Sequence, residues 1–333
     1  MSEAAKTLPN RTVELLTMLQ YKRPSGGATE AQFIKRFILP LGVTKDKMGN
    51  IWCRIDSDDC PILWSCHTDT VHNTEGKQHI IFGDGIATSD SGECLGADCT
   101  TGVWLMVNMI RAGIPGLYLF HAAEEVGGVG SDYIAQKMQH KLKHIKYAVA
   151  FDRKGTDEII THQGWRRTAS NAFANSLADA LSLPLDPSDR GTFTDTANYA
   201  DLIPECCNVS VGYYKQHTKH EYQDVDFANK LLDSILAADF SRLVCERDPA
   251  VDDDEWTYPE HWGAWRDHKS DVGQRPKGLF GDDMPDCTFA SLFDYVKKYP
   301  RDVADFLEIN GYTIEEIEQQ IWGQTSVYGA SSK

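Results

Sequence analysis

The sequence predicts an α/β fold: three layers, α/β/α, around a mostly parallel mixed sheet, with a small helical C-terminal appendage. Three observations carry that expectation. Short strand-like runs alternate with helical segments from residue 12 to residue 245. Two of those runs, Leu117 to His121 and Tyr147 to Phe151, are apolar almost throughout, as strands buried on both faces are. Acidic residues follow the carboxyl ends of such runs, where open α/β sheets place their ligands.

Taken in order, Thr12 to Gln20 and Ala28 to Leu39 read as helices, the second carrying Phe33, Ile34, Phe37 and Ile38 at helical spacing. Asp46 to Asn50 makes a turn into a strand, Ile51 to Ile55, and Pro61-Ile62-Leu63-Trp64 is a further apolar strand. A helix is expected over Val103 to Ile110, then the strand Leu117 to His121, a crossover helix Ser131 to His140 and the strand Tyr147 to Phe151. Strands at Glu158 to Thr161 and Asn208 to Tyr213, with helices at Ser170 to Leu183 and Asp226 to Cys245, complete the first unit, residues 1–245. Residues 246–287 lose all periodicity and read as an acidic Trp- and Pro-rich linker or wrap around Trp256, Trp262 and Trp265. Periodic apolar residues return over 288–325 as three short helices with a packing or protein-interaction role.

A chain of 333 residues has room for one large α/β domain with such an appendage, and 41% hydrophobic against 25% charged residues is a globular balance. The formal charge of −16, with no basic cluster to offset it, argues against nucleic acid and anionic membrane as partners. The first twenty residues lack a basic head and apolar core, so no secretory signal is expected, and no stretch has the apolar length of a membrane span. Nine cysteines without a CxxC pair read as small buried hydrophobes in a reducing cytoplasm. Oligomeric state is left open.

The chemistry sits in an ordered set of His, Asp and Glu. His67 and Asp69, two apart on extended backbone, project to the same side, so one can bind a metal while the other steers it. Asp98 lies between Gly96-Ala97 and the small residues Thr100-Thr101-Gly102, with room to bridge two cations about 3.5–4 Å apart. Of the pair Glu124-Glu125, one carboxylate can ligate while the other serves as general base, and the glycines that follow allow close backbone approach. Asp152 closes an apolar strand at its carboxyl edge. His217 and His220 compete for the last ligand position, which spacing leaves open. The set is that of two divalent cations with an open position for water.

These motifs resemble the co-catalytic di-zinc exopeptidase clan, which includes bacterial aminopeptidases, peptidase T-like tripeptidases and glutamate carboxypeptidases. The similarity runs from Thr12 to about Tyr222. Arg23 to Glu30 resembles the clan's entry helix, Asp46 to Asn50 its D-x-x-G-N turn, His67-Thr68-Asp69 its H-x-D, and Gly96-Ala97-Asp98 its G-A-D. Glu124-Glu125, Asp152 and the H-x-x-x-E of His217 and Glu221 follow in the clan's order, which favours His217 over His220.

The resemblance implies that His67, Asp98 and Asp152 hold one Zn2+ and Asp98, Glu125 and His217 the other, with Glu124 as base and Asp69 orienting His67. It implies hydrolysis of short peptides, an aminopeptidase first. A carboxypeptidase or N-acyl amino-acid deacylase acting on an acylated amino acid is the alternative, and a non-catalytic binding relative a third reading. Two departures stand out. Cys99 replaces the second aspartate common after the bridging one, and only 65 positions separate Asp152 from His217, too few for the lid domain of many relatives. Gly191 to Thr196 resembles the clan's Ser/Thr-Asp-Thr turn, so Asp195 is expected to support the site or the substrate. Arg166 and Arg167 face either solvent or a substrate carboxylate.

Overall fold

The strand Ile62–His67 shows how one segment builds two cores. Its even residues, Ile62, Trp64 and Cys66, join one buried apolar cluster, whereas Leu63 between them joins another. The same alternation separates Tyr118 and Phe120 from Leu117 and Leu119, Val149 from Ala148, and Cys207 from Cys206. Alternate side chains of a strand point to opposite faces, so both faces of the sheet are covered.

The computed structural model describes residues 10–56, 59–164, 166–251 and 296, and every element below lies in the first of two units, residues 1–260. The central sheet has eight strands: β1 (Thr44–Lys45), β2 (Ile51–Ile55), β3 (Ile62–His67), β4 (Gly116–His121), β5 (Tyr147–Arg153), β6 (Glu158–Ile160), β7 (Asp186–Ser188) and β8 (Glu205–Ser210), in the order β7-β6-β8-β5-β3-β4-β2-β1. The four middle strands, β8-β5-β3-β4, are mutually parallel. Antiparallel pairing of β2 with β4 and of β6 with β8 makes the sheet mixed. On one face pack α1 (Asn10–Met18), α2 (Ala28–Phe33), α3 (Ala97–Ala112), α5 (Asn171–Leu181) and α6 (Val225–Ala237); on the other, α4 (Val129–Lys137) and the turn at Tyr199. This is the expected three-layer α/β/α arrangement. Full burial of side chains such as Phe120, Phe173 and Leu231 contributes about 1.5–3 kcal/mol each, against the cost of ordering them.

Helix starts follow local chemistry. Ser170 caps α5 by accepting from Phe173 N, and Asp224 caps α6 by accepting from Phe227 N. Several limits depart from the sequence expectation. The second helix stops at Phe33, widens into a π turn over Ile34–Ile38 and tightens around Pro40, ending at Gly42 with φ +74°. α6 ends at Ala237, well short of Cys245, because Ala238 turns extended and Asp239 caps a new short turn that sets Phe240 against the Trp64 ring. The single strand expected over Asn208 to Tyr213 is two. β8 stops at Ser210, Gly212 turns the chain at φ +93°, and Tyr213–Tyr214 enters a second, four-stranded sheet with Tyr222–Asp224, Ile86–Ser89 and Ile80–Gly83.

Glu246 and Arg247, placed by sequence at the start of the linker, are held to the body, both amides donating to Glu205 Oε1. The linker's tryptophans and the helices expected over 288–325 lie outside the described residues. Among the described residues, the eight cysteines are free, and no helix is long and apolar enough to cross a membrane.

The strand ends set the site. β3 and β4 run in parallel register with His67 opposite His121, and the β3–β5 register, Ser65 opposite Ala150, continues to bring Asp152 level with His67. α3 packs across β3 and β5, and this contact has no spare volume: a Cβ on Gly102 would run into Phe151 O and Cys99 Sγ. Gly102→Ala is therefore expected to lower unfolding free energy by about 1–3 kcal/mol through overpacking, read from the denaturant midpoint at unchanged slope.

Candidate metal centre

Two strand ends, one helix entry and two loops bring the sequence-nominated side chains to the carboxyl edge of the sheet. His67 is the last residue of β3 and Asp152 the sixth of β5; Asp98 comes from the entry of α3, Glu124 and Glu125 from the loop after β4, and His217 from the turn joining Tyr213–Tyr214 to Tyr222–Asp224. His67 Nε2 lies 3.1 Å from Asp98 Oδ1 and 3.4 Å from Asp152 Oδ1. On the far side of the same carboxylate, His217 Nε2 lies 3.2 Å from Asp98 Oδ2 and 3.3 Å from Glu125 Oε2. Asp98 therefore faces two separate imidazoles with its two oxygens. His220 is exposed and outside this cluster.

Ligand-type atoms of His67, Glu124 and Glu125 fall within 4.8 Å of one another, as do those of Asp98, Glu125 and His217, and those of His67, Cys99 and Asp152. The donor set is two imidazoles and four carboxylates, the chemistry that suits borderline-hard divalent ions. Glu125 Oε1 is buried with no hydrogen-bond partner, a costly arrangement for a carboxylate unless a cation is its partner. The residues thus fit a pair of cations held through Asp98.

Titration behaviour has the same origin. Burial alone would lower His217, but hydrogen bonds to Asp98 and Glu125 push it up to about 12. His67 is likewise raised, its desolvation outweighed by Asp152, Asp69 and Asp98. Burial works to raise Asp98, yet hydrogen bonds from the two histidines hold it below the usual carboxylate range. Burial, then the neighbouring Asp98, lifts Asp152 to about 6, and burial is the main cause that drives Glu124 well above an ordinary glutamate. The lone pairs that bind protons here are those that a cation would take.

Around this cluster a set of hydrogen bonds fixes the loops. Asp69 reaches back to His67 Nδ1 at 3.4 Å while its two oxygens accept from Glu124 N and Glu125 N at 3.1 and 3.2 Å. It orients the imidazole and the glutamate loop together. Asn50 grips that loop at both ends, accepting from Ala122 N and donating to Gly130 O, and is itself held by Asp46. Glu221 accepts from Gly96 N at 2.9 Å and Asp98 N at 3.1 Å, which pins the turn that carries Asp98. Thr194 Oγ1 donates to Asp152 Oδ2 at 2.7 Å. Arg23, wholly buried, donates to Thr68 O and to Thr100 Oγ1 and thereby joins the two segments behind His67 and Asp98.

The other nominated residues meet the cluster to different degrees. Asp195 is buried with Oδ2 3.3 Å from His121 Nδ1, near enough for its charge to help raise Glu124, and is not among the residues lining the cleft. Arg166 pairs with Asp201 at 2.6 Å. Cys99 is buried, joined to Asp98 by a cis peptide, and its thiol donates to Phe151 O. Sequence reading gave Thr194 and Asn50 no role; their signals were a hydroxyl beside Asp195 and an Asn closing a Gly turn.

No protein-family model and no curated protein sequence matches the chain. Solved structures do. The aminopeptidase PepT of Bacillus cereus superposes with a TM-score of 0.57 at 17% identity, over 68% of this chain and 96% of that one. A tripeptidase from Staphylococcus aureus gives 0.55 at 16%, over 68% and 96%, and the Pyrococcus horikoshii TET1 peptidase 0.54 at 14%, over 68% and 99%. The chain shares the fold of these peptidases. The fold expected from the sequence motifs is thus the one observed.

Glu221 gives a direct check of the loop bracing. Removing its carboxylate in Glu221→Ala leaves two buried backbone amides without acceptors, so hydrogen exchange at Gly96 and Asp98 should accelerate about tenfold or more while exchange in β3 and β5 is unchanged.

Proposed function

We propose that the chain is a two-metal exopeptidase that cleaves short peptides, most simply as an aminopeptidase. The observation that carries this reading is Asp98, whose two oxygens face His67 and His217 separately. In this reading His67, Asp98 and Asp152 would hold one ion and Asp98, Glu125 and His217 the other, with Zn2+ as the metal. Two such ions, when bound, would supply a water of lowered pKa and polarise the scissile carbonyl. Glu124, half-buried at the mouth of the pair, would take the proton of the attacking water and return it to the leaving amine. Burial favours its protonated form, which suits a group that must accept a proton, and the His67 charge opposes that shift without cancelling it. Asp69 keeps His67 in the tautomer that presents Nε2 to the cluster.

Residues 1–245 would form the catalytic unit. The interval between Asp152 and His217 is occupied by β6, a short hairpin, α5, β7 and β8, which supports a site without a lid. Residues 246–287 are proposed as a linker, and 288–325 as a packing or interaction module. Free, mostly buried cysteines support a reducing, cytoplasmic setting.

One observation favours a second reading. Arg153 and Lys154 line the same cleft, where a substrate carboxylate would anchor in a carboxypeptidase or N-acyl amino-acid deacylase. Arg153 is already bonded to Glu158 through two guanidinium nitrogens at 2.9 and 2.7 Å, which weakens that reading.

Metal analysis of the purified protein is expected to give two ions per chain. Aminoacyl anilides should be hydrolysed and N-acyl amino acids left intact; the opposite pattern selects the carboxylate-anchored alternative. Glu124→Gln should lose about 10²–10⁴-fold in kcat while retaining both ions. Undiminished turnover in that variant removes Glu124 from the role of base.

A further inference from the structure

The cleft continues past Asp152 and His217 along a wall formed by Ile160, Gln163 and Phe193. Gln163 is 2% exposed and belongs to the short hairpin His162–Gln163 against Arg166–Arg167. Its amide nitrogen makes three contacts: Thr168 Oγ1 at 3.3 Å, Thr196 Oγ1 at 3.2 Å and Cys206 O at 3.3 Å. The two hydroxyls spend their own protons elsewhere, Thr168 on Cys206 O and Thr196 on Cys207 O, so all three atoms are acceptors for Gln163. Three acceptors require the NH2 end, which fixes the amide against a flip. The carbonyl Oε1 is then the end turned from this nest. It is buried and has no hydrogen-bond partner among the described residues.

Resting on the peptidase reading above, we propose that Gln163 Oε1 is a specificity determinant: it accepts a hydrogen bond from the side chain of the residue whose carbonyl is attacked, and selects a small neutral donor such as Thr, Ser or Asn. The neighbours narrow the class. Arg153 and Lys154 place like charge in the wall against a Lys or Arg side chain, that of Arg153 partly offset by Glu158, and an ionised carboxylate has no proton to offer Oε1. Ile160 and Phe193 give the apolar part of the pocket. Gly191 lines the same wall, where any Cβ would run into His162 O and Ile160 Cγ2. An apolar isostere fits that shape but leaves a buried acceptor unmatched, and a site built this way discriminates against the analogue lacking the donor.

The test compares dipeptides that differ only in an N-terminal Thr or Val. Wild-type protein is expected to favour the threonyl substrate by about tenfold or more in kcat/KM. Equal or reversed preference overturns the proposal. In Gln163→Met, which keeps length and removes the acceptor, the ratio should fall towards one, and a ratio that stays at the wild-type value overturns it as well. Calorimetric binding of free L-threonine against L-valine reads the pocket without turnover or mutation: tighter threonine supports the assignment, and equal or weaker threonine sinks it. Should no peptide be hydrolysed at all, the peptidase reading fails on its own, while the amino-acid comparison still decides the role of Gln163.

Discussion

Concentrated negative charge at a dry sheet edge is the constraint that shapes this molecule. Asp69, Asp98, Glu124, Glu125 and Asp152 converge where the ends of β3, β4 and β5 meet, and all are largely removed from solvent. Carboxylates this close cannot all remain ionised unless positive charge is interleaved with them. The two imidazoles are placed for that, one on either side of Asp98, and only His217 is substantially open, at 46% side-chain exposure. The open side is also where the cleft lies. Geometry therefore separates a deep imidazole, His67, from an accessible one, His217.

Holding such a cluster together requires backbone that does not relax, yet four of the residues sit on loops. Each loop is fixed by a buried side chain rather than by regular structure, Asp69 and Asn50 for the Glu124-Glu125 segment and Glu221 for the turn before Asp98, while Thr194 holds the carboxylate of Asp152 on its strand. Charged acceptors are used where two amides must be satisfied at once, because hydrogen bonds to an ionised group are the stronger kind. Glu221 illustrates the cost. Burial and Asp98 lift it to about 7, so its hold on Gly96 and Asp98 depends on those same two amides keeping it charged.

Much of this was legible in the sequence, for identifiable reasons. Strands β3, β4 and β5 are continuous apolar runs with a polar residue at the end, and that pattern gives both the buried sheet and the position of His67 and Asp152 on its edge. His217 could be separated from His220 only by its partner Glu221 four residues on. The second sheet went unread, although Asp84-Gly85, at φ +50° and +78°, is a standard two-residue hairpin turn between Gly83 and Ile86. Its strands are short and half exposed, so no apolar run announces them. Helix limits failed where tertiary packing overrode propensity: Phe240 leaves α6 because Trp64 offers its ring a partner.

That second sheet explains how an exposed histidine can be placed as accurately as a buried one. Tyr213–Tyr214 pairs with Tyr222–Asp224, and Tyr222–Asp224 pairs with Ile86–Ser89, so the turn bearing His217 is tied to a separate framework from β3 and β5. His217 itself sits at φ +65°, a conformation uncommon for a residue with a Cβ and held there by its surroundings. Gln223 joins the frameworks, donating to Val211 O and accepting from Thr101 Oγ1 on α3. The site is thus assembled between two sheets joined through α3, and Asp98, at the entry of that helix, is the residue through which both sheets act on one carboxylate.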